Sequence, residues 1–208
     1  MKTEMKNPFP SPTPLESVYL RELVDVARRS YDRGWSGGTA GNFSIRGQDG
    51  MIWQSPTGWC KGELDPKKFI PVELSSMQAV SPGSAKPSGE MPVHVGIFRS
   101  VKSAMAVVHT HPPHLVEASR SGKHIQFEGE EMQKHLGSHD HLEISKIPVM
   151  TNPTPEQMPD LANTVGKHII EKVPMVVLAA HGVYAWGKTP MEALSYIEAA
   201  EFLCQTNK

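Results

Sequence analysis

The first apolar pattern along the chain has the spacing of an α-helix. Val18, Leu23 and Val26 recur at helical intervals and would form one apolar face. The segment begins with Thr13-Pro14-Leu15-Glu16, which combines an N-cap, a proline at the first helical position and a capping-box glutamate. Gly34 supplies a stop signal. The pattern therefore predicts a capped helix that ends at this glycine.

Shorter apolar runs predict strands. Residues 43–46 and 51–54 flank Asp49-Gly50, a hairpin turn signal, and Pro71 within residues 69–73 favours a strand at a sheet edge. Further strands are predicted at 104–108, 147–150, 175–178 and 183–186, and further helices at 90–99, at 154–171 and from 190 almost to residue 208. This order predicts an α/β fold, a mixed sheet with helices on its faces. We expect a flexible tail, 1–13, and a single domain, 14–208.

The composition of the chain argues against nucleic-acid binding and membrane binding. The 208 residues carry a formal net charge of −1, with basic and acidic residues interleaved, so the basic stripe expected for nucleic-acid or anionic-membrane binding is missing. Cys60 and Cys204 are far apart and form no CxxC pattern, which fits a reducing compartment. No signal-peptide pattern or long apolar run is visible. We expect a cytoplasmic protein that binds neither nucleic acid nor membranes.

The histidines suggest a metal site. His109 and His111 follow a predicted buried strand, and because side chains alternate along a strand, both should point the same way. His181 also follows a predicted strand and precedes Gly182, which permits close approach. Three neutral imidazoles with an open fourth position are typical of catalytic metal sites. Zinc fits these ligands best, and other divalent metals stay open.

Spacing alone leaves alternatives for these histidines. Residues 109–114, HTHPPH, are also compatible with a surface histidine run that binds no ion. His94, in the middle of a predicted helix, is interpreted as a packed or solvated histidine rather than a ligand.

Three loops of small residues are candidates for binding one phosphate. They contain Gly41 and Asn42, Thr57 and Gly58, and Ser88 and Gly89. Each offers backbone N–H groups and a side-chain donor, and together they could form an anion nest. The third loop also precedes a helix, whose N-terminus favours negative charge. Taken singly, each loop is equally compatible with an ordinary turn.

Two glutamates are candidates for proton transfer. Glu90 lies at the start of the helix after the third loop, and Glu131 lies between the His-Thr-His motif and the third histidine. Proton transfer at carbon needs a carboxylate beside a Lewis-acidic metal. The alternative is that both glutamates only cap or decorate helices.

Five segments carry a resemblance to a known family. They are GTAGNFSIR (38–46), SPTG (55–58), KPSGEMPVHVGIFR (86–99), AVVHTHPP (106–113) and AAHGVYAWGKTPMEAL (179–194). In this order they resemble the class II aldolase/adducin family. The resemblance implies a three-layer α/β/α domain with a mostly antiparallel sheet and a small sugar phosphate as substrate. It also implies metal ligands at His109, His111 and His181, and a homotetramer with active sites at subunit contacts.

Within the family, the chain resembles a dehydratase branch. The segments that carry this resemblance are KPSGE, FEGEEM (127–132) and HGVYAWG. In family aldolases the acid/base glutamate follows the small-residue loop, which here is Glu90; the dehydratase segment implies Glu131 instead. We assign proton transfer to Glu131 and place Glu90 near the metal or the substrate hydroxyls. An aldolase or 4-epimerase, and a non-catalytic adducin-like domain, remain the alternatives.

Overall fold

The computed structural model describes residues 10–80 and 85–207. The helices are α1 (Pro14–Asp32), α2 (Met91–Ser100), α3 (Pro113–Ala118), α4 (Leu161–Thr164) and α5 (Pro190–Thr206). The strands are β1 (Asn42–Arg46), β2 (Met51–Gln54), β3 (Ile70–Glu73), β4 (Ala106–Thr110), β5 (His124–Phe127), β6 (Ser145–Met150), β7 (Met175–Leu178) and β8 (Gly182–Gly187). The expected tail, 1–13, falls largely on residues 1–9, outside the described part, and it stays a prediction together with the single domain, 14–208.

The eight described strands belong to one mixed sheet. Its order is β3-β2-β1-β4-β8-β7-β6-β5. Among these strands only β6 and β7 pair in parallel, and the other neighbours are antiparallel. The edge position predicted from Pro71 is confirmed, because β3 is an outer strand. The predicted mixed, mostly antiparallel sheet is therefore confirmed.

Helices cover both faces of the sheet, as predicted. One core joins α1, α3 and α5 to one face, through side chains such as Leu23, Leu115 and Leu194. The other core joins α2 and α4 to the opposite face, through side chains such as Val93 and Leu161. Among the described residues, no helix combines the length and the apolar character needed to cross a membrane.

Capping residues mark the first turns of two of these helices, α1 and α5. Thr13 and Glu16 form the predicted capping box of α1, and the helix ends before Gly34, whose φ is +76°. Thr189 caps α5 by accepting a hydrogen bond from the backbone N–H of Glu192. These side chains satisfy donors that the first helical turn leaves without partners.

The continuous helix predicted over 154–171 is wrong. The segment consists of a 3-10 turn at Met158–Asp160, the short α4, and a second 3-10 turn at Val165–His168. Pro159 explains the late start, since a proline in a helix interior removes a hydrogen bond and clashes with the preceding turn. Three further elements, α3, β5 and the 3-10 helix Glu131–Leu136, were not predicted from the sequence.

Candidate metal site

The site lies on three neighbouring strands at the centre of the sheet. Strand register places Asn42 of β1 opposite His109 of β4, and His109 opposite Tyr184 of β8. The imidazole of His109 stacks on the Tyr184 ring, with 3.9 Å between ring centroids and 11° between planes. His109 is fully buried. A ligand position built on paired central strands is held more rigidly than one on a loop.

The three predicted histidines come together around one point. Nitrogen atoms of His109, His111 and His181 all lie within 4.8 Å of one another. The Nε2 atoms of His109 and His111 are 2.9 Å apart, as expected for two residues on the same side of a strand. His181 approaches from the turn that joins β7 to β8.

Contacts at the other ring nitrogens orient two of these imidazoles. The Nδ1 of His109 lies 2.9 Å from the carbonyl oxygen of Val183, and the Nδ1 of His181 lies 3.0 Å from Oδ1 of Asn152. Because each contact uses an Nδ1–H donor, Nε2 is the nitrogen that each ring turns toward the cluster. A histidine held in this way can bind a metal ion through Nε2 once that nitrogen carries no proton.

Gly182 makes the close approach of the imidazoles possible. A Cβ atom at this position would lie 2.4 Å from Cδ2 of His111 and 2.8 Å from Cε1 of His109. Gly41 plays a similar part, since its φ is +78° and a Cβ there would lie 2.8 Å from the carbonyl oxygen of His109. Both glycines therefore fit a requirement for space beside the histidines.

The carboxylate of Glu90 completes the cluster. Its oxygens lie 3.2 Å from Nε2 of His109 and 2.9 Å from Nε2 of His181, and it accepts a hydrogen bond from the Asn42 amide. Burial alone would raise the pKa of Glu90, but the histidines and the amide lower it well below its usual range. Glu90 is therefore ionised in this setting.

The donor set fits a divalent metal ion. Burial lowers the pKa of His111 to about 3, with His109 and His181 acting in the same direction and Glu90 against them, and keeps its imidazole neutral. The rings of His109 and His181 are held by their Nδ1 contacts, and the Glu90 carboxylate lies beside them. Three imidazoles are a common catalytic ligand set for zinc, and iron, manganese, cobalt and nickel also bind imidazole and carboxylate.

A cavity of about 270 Å³ opens beside the histidines. Five of the six predicted anion-binding residues line it, together with Glu90 and His111: Gly41, Asn42, Thr57, Gly58 and Ser88. Gly89 lies between Ser88 and Glu90 but does not line the cavity. A backbone hydrogen bond of 3.0 Å from Thr57 to Lys86 holds the second and third loops together. The structure thus joins the three loops and the histidines in one site.

Lys61, which was not predicted as a site residue, also lines this cavity. Only 1% of the residue is exposed, and its ammonium donates hydrogen bonds of 2.8 Å to the carbonyl oxygens of Thr39 and Trp59. An ammonium has three donors, so one remains for a ligand. Burial lowers the pKa of Lys61 to about 8, while Cys60 and Glu90 act to raise it. Its position three residues after Gly58 was the one available signal, and it is a weak one.

Glu131 does not join the site within a single chain. Its side chain is 75% exposed and pairs with Lys134, and its carboxylate lies 3.7 Å from Nδ1 of His141. Hydrogen bonding to Lys134 lowers the pKa of Glu131. The two predicted acid/base residues thus differ sharply, since Glu90 contacts two of the three histidines and Glu131 contacts none.

Comparisons with known proteins agree with this arrangement. Residues 21–207 match the family described as class II aldolase and adducin N-terminal domain. A methylthioribulose-1-phosphate dehydratase of Enterobacter sp. (strain 638) is 35% identical, over 90% of this chain and 93% of the relative. One of Methylococcus capsulatus is 34% identical, over 88% and 89%.

A solved structure shares the fold. The L-fuculose-1-phosphate aldolase of Thermus thermophilus is 25% identical with a TM-score of 0.73, and the match covers 91% of this chain and 93% of the aldolase. The match of family and fold extends over nearly all of the described residues. The chain belongs to the class II aldolase and adducin family.

Proposed function

We propose that the chain is a metal-dependent hydro-lyase of L-methionine salvage. It converts 5-methylthioribulose 1-phosphate to 2,3-diketo-5-methylthiopentyl 1-phosphate. The observation that carries proton abstraction beside a metal ion is the carboxylate of Glu90 between two imidazoles, at the edge of a cavity lined with small polar residues. The loss of water and the substrate are inferred from the dehydratase relatives, which align with the chain over most of their length.

We propose zinc as the resident metal, one ion per subunit, with His109, His111 and His181 as its ligands. The convergence of the three imidazoles and the anchored Nδ1 atoms of His109 and His181 support this assignment. A bound divalent ion supplies a Lewis acid that makes the hydrogen beside the substrate ketone more acidic. The protein contributes the ligand geometry.

We propose that the cavity holds the substrate phosphate. Backbone N–H groups of the Gly41 and Gly58 loops, and the hydroxyls of Thr57 and Ser88, are the neutral donors. Lys61 adds a positive charge at the same cavity. A phosphate bound here lies near Glu90 and His111, because both of these residues line the same space. The anion contacts would hold the reacting carbons beside the carboxylate.

Proton transfer is proposed for Glu90 and Glu131. Glu90 is ionised and lies at the histidines, so it is placed to take a proton from the substrate. Glu131 would return a proton to the departing hydroxyl, as its place in the dehydratase-like segment suggests. Since Glu131 contacts none of the three histidines in its own chain, this role requires a neighbouring subunit. We therefore also propose a homotetramer with active sites at its subunit contacts. We further propose that the protein is located in the cytoplasm.

A specific observation keeps an aldolase or 4-epimerase as the second candidate. Glu90 occupies the position that serves as acid/base in family aldolases, and it is the glutamate that contacts the histidines. A non-catalytic adducin-like role is disfavoured, because all three histidines are present and converge on one point.

Product analysis separates the two enzymatic candidates. The metal-loaded protein is incubated with 5-methylthioribulose 1-phosphate, and products are followed by absorbance of the diketone and by mass spectrometry. Loss of one water without carbon–carbon cleavage is the expected result. Retro-aldol fragments, or an epimer of unchanged mass, would instead support the second candidate. A His181→Ala variant and a chelator-treated sample serve as controls, and both should be inactive.

A further inference from the structure

A chain of buried polar side chains lies beneath the carboxylate of Glu90. His94, in the middle of α2, is fully buried. Its Nδ1 lies 2.6 Å from Oγ of Ser44, and its Nε2 is hydrogen-bonded to Oδ1 of Asn42. The Nδ2 of Asn42 then donates to Glu90. Four side chains are thus hydrogen-bonded in series, in the order Ser44, His94, Asn42 and Glu90.

Two of these four residues lie on strand β1, and the other two lie on helix α2 and at its N-cap. Asn42 and Ser44 are two positions apart on β1, so their side chains lie on one face of the sheet. Glu90 is the N-cap of α2 and His94 is four residues later, so they lie one above the other on the helix. The ring of His94 also meets the Tyr184 ring edge to face, with centroids 5.5 Å apart. The chain of hydrogen bonds is therefore fixed by regular structure and packing.

The direction of each hydrogen bond follows from what its members can donate. The amide of Asn42 turns its NH2 group toward the carboxylate of Glu90 and its oxygen toward His94. Burial, with a contribution from His109, lowers the pKa of His94 to about 3, so the ring is neutral and has one N–H. That N–H must be at Nε2 to meet the amide oxygen. Nδ1 then carries the lone pair and accepts from the hydroxyl of Ser44.

We propose that His94 is a positioning residue that fixes the amide orientation of Asn42 and, through it, the carboxylate of Glu90. The proposal rests on the proposed function only in giving Glu90 a proton-transfer role. His94 does not belong to the cluster of His109, His111 and His181, and it does not line the cavity beside them. Without its Nε2–H, the amide of Asn42 is free to rotate by half a turn and to present its oxygen to the carboxylate, which would repel Glu90 from its place.

Two substitutions of His94 separate positioning from simple packing. His94→Met fills space without a donor, whereas His94→Gln offers an amide N–H to Asn42 and an oxygen to Ser44. We expect kcat to fall by about tenfold to a hundredfold in H94M, with KM and bound metal unchanged, and to recover largely in H94Q. His124→Gln, at an exposed strand position, is the matched control and should behave as wild type.

Nuclear magnetic resonance supplies a readout that does not depend on turnover. With 15N-labelled histidine and asparagine, His94 should be the neutral Nε2–H tautomer, and the Asn42 amide protons should be shifted downfield by Glu90. The Asn42 shift should be lost in H94M and kept in H94Q. An Nδ1–H tautomer, or an Asn42 signal that is the same in H94M and wild type, would overturn the proposal. Failure of the wild-type protein to dehydrate the substrate would count against the proposed function alone.

Discussion

Gly182 leaves no room for a side chain between two imidazoles. We predict that Gly182→Ala weakens metal binding by about tenfold or more, because the new Cβ would force the rings of His109 and His111 apart. Metal affinity is measured by competition with a chromophoric chelator. Gly37→Ala is the control, since a Cβ there meets no atom within 4 Å and its φ is not positive. Equal affinity in the two variants would contradict the steric argument.

Lys61 is predicted to supply most of the electrostatic attraction for the phosphate. Because a hydrogen bond to a charged group contributes about 1.5–3 kcal/mol, Lys61→Met should raise the Kd for inorganic phosphate about tenfold to a hundredfold. Isothermal titration of the metal-loaded protein measures this constant. The exposed Lys67→Met is the matched control. An unchanged Kd in K61M would remove Lys61 from the binding site.

The same lysine predicts a pH dependence of phosphate affinity. Burial lowers the pKa of Lys61 to about 8, against opposing contributions from Cys60 and Glu90. The side chain is therefore cationic below this pH and neutral above it, and phosphate affinity should decrease as pH rises through about 8. Lys61→Arg should flatten the profile because a guanidinium stays charged. Cys60→Ser removes one of the opposing contributions and should move the decrease to lower pH. A flat wild-type profile would contradict this prediction.

The role of a single residue could be predicted when residues close to it in the sequence carried the signal. The His-Thr-His spacing and the Gly182 that follows His181 pointed to a cluster that the structure brings together. The place of Lys61 at the cavity and the role of His94 were not predictable from local patterns, because Thr39, which accepts from Lys61, and both partners of His94 are distant in sequence. The contacts of His94 with Ser44 and Asn42 span 50 and 52 residues, and only the fold places such residues together.

At the level of elements, α2 is the helix that joins the core to the site. Glu90 caps its start and His94 lies one turn later, while the middle of the helix packs on α4 through Gly96. A Cβ at Gly96 would lie 2.6 Å from the carbonyl oxygen of Leu161 and 2.4 Å from Cγ1 of Val165. The position of α2 therefore depends on close contact between two backbones.

We predict that Gly96→Ala destabilises the protein despite the better helix propensity of alanine. Overpacking should cost about 1–3 kcal/mol, which exceeds the gain of about 1 kcal/mol from replacing glycine inside a helix. Urea denaturation measures the change in the free energy of unfolding. Gly166→Ala is a useful comparison, because its Cβ meets the hydroxyl of Ser100, a side-chain end that can rotate away. A larger loss in G166A than in G96A would contradict the argument.

Elements with strong local signals were predicted correctly. The capping box of α1, the Thr189 cap of α5 and the Asp49-Gly50 hairpin all agree with the structure. The prediction of one helix over 154–171 was wrong because it relied on the capping signal at the start of the segment and did not allow for the interruption at Pro159. Strand β5 was missed because its two buried and two exposed residues form too short an alternating pattern to separate from loop.

At the scale of the whole molecule, Glu131 and the three histidines are predicted to act from different chains. Glu131→Gln and His181→Ala should each abolish turnover. After unfolding and refolding a 1:1 mixture, about a quarter of wild-type activity should return, because some sites then combine intact histidines from one chain with an intact Glu131 from another. Light scattering checks the expected tetramer.

A second mixture tests whether the recovery is specific. His109→Ala mixed with His181→Ala should stay inactive, since both residues belong to one cluster within a chain. If the Glu131→Gln and His181→Ala mixture also stays inactive while forming tetramers, Glu131 does not act across a subunit contact.

The sheet order has a consequence for synthesis on the ribosome. Strand β4, which carries His109 and leads directly into His111, pairs with β1 on one side and with β8 on the other, and β8 begins at Gly182. Until that late segment has left the exit tunnel, β4 presents an open row of backbone donors and acceptors, the kind of edge that recruits foreign strands. Completion of the histidine cluster and protection of the nascent chain from aggregation therefore coincide, because the same stretch of polypeptide accomplishes both.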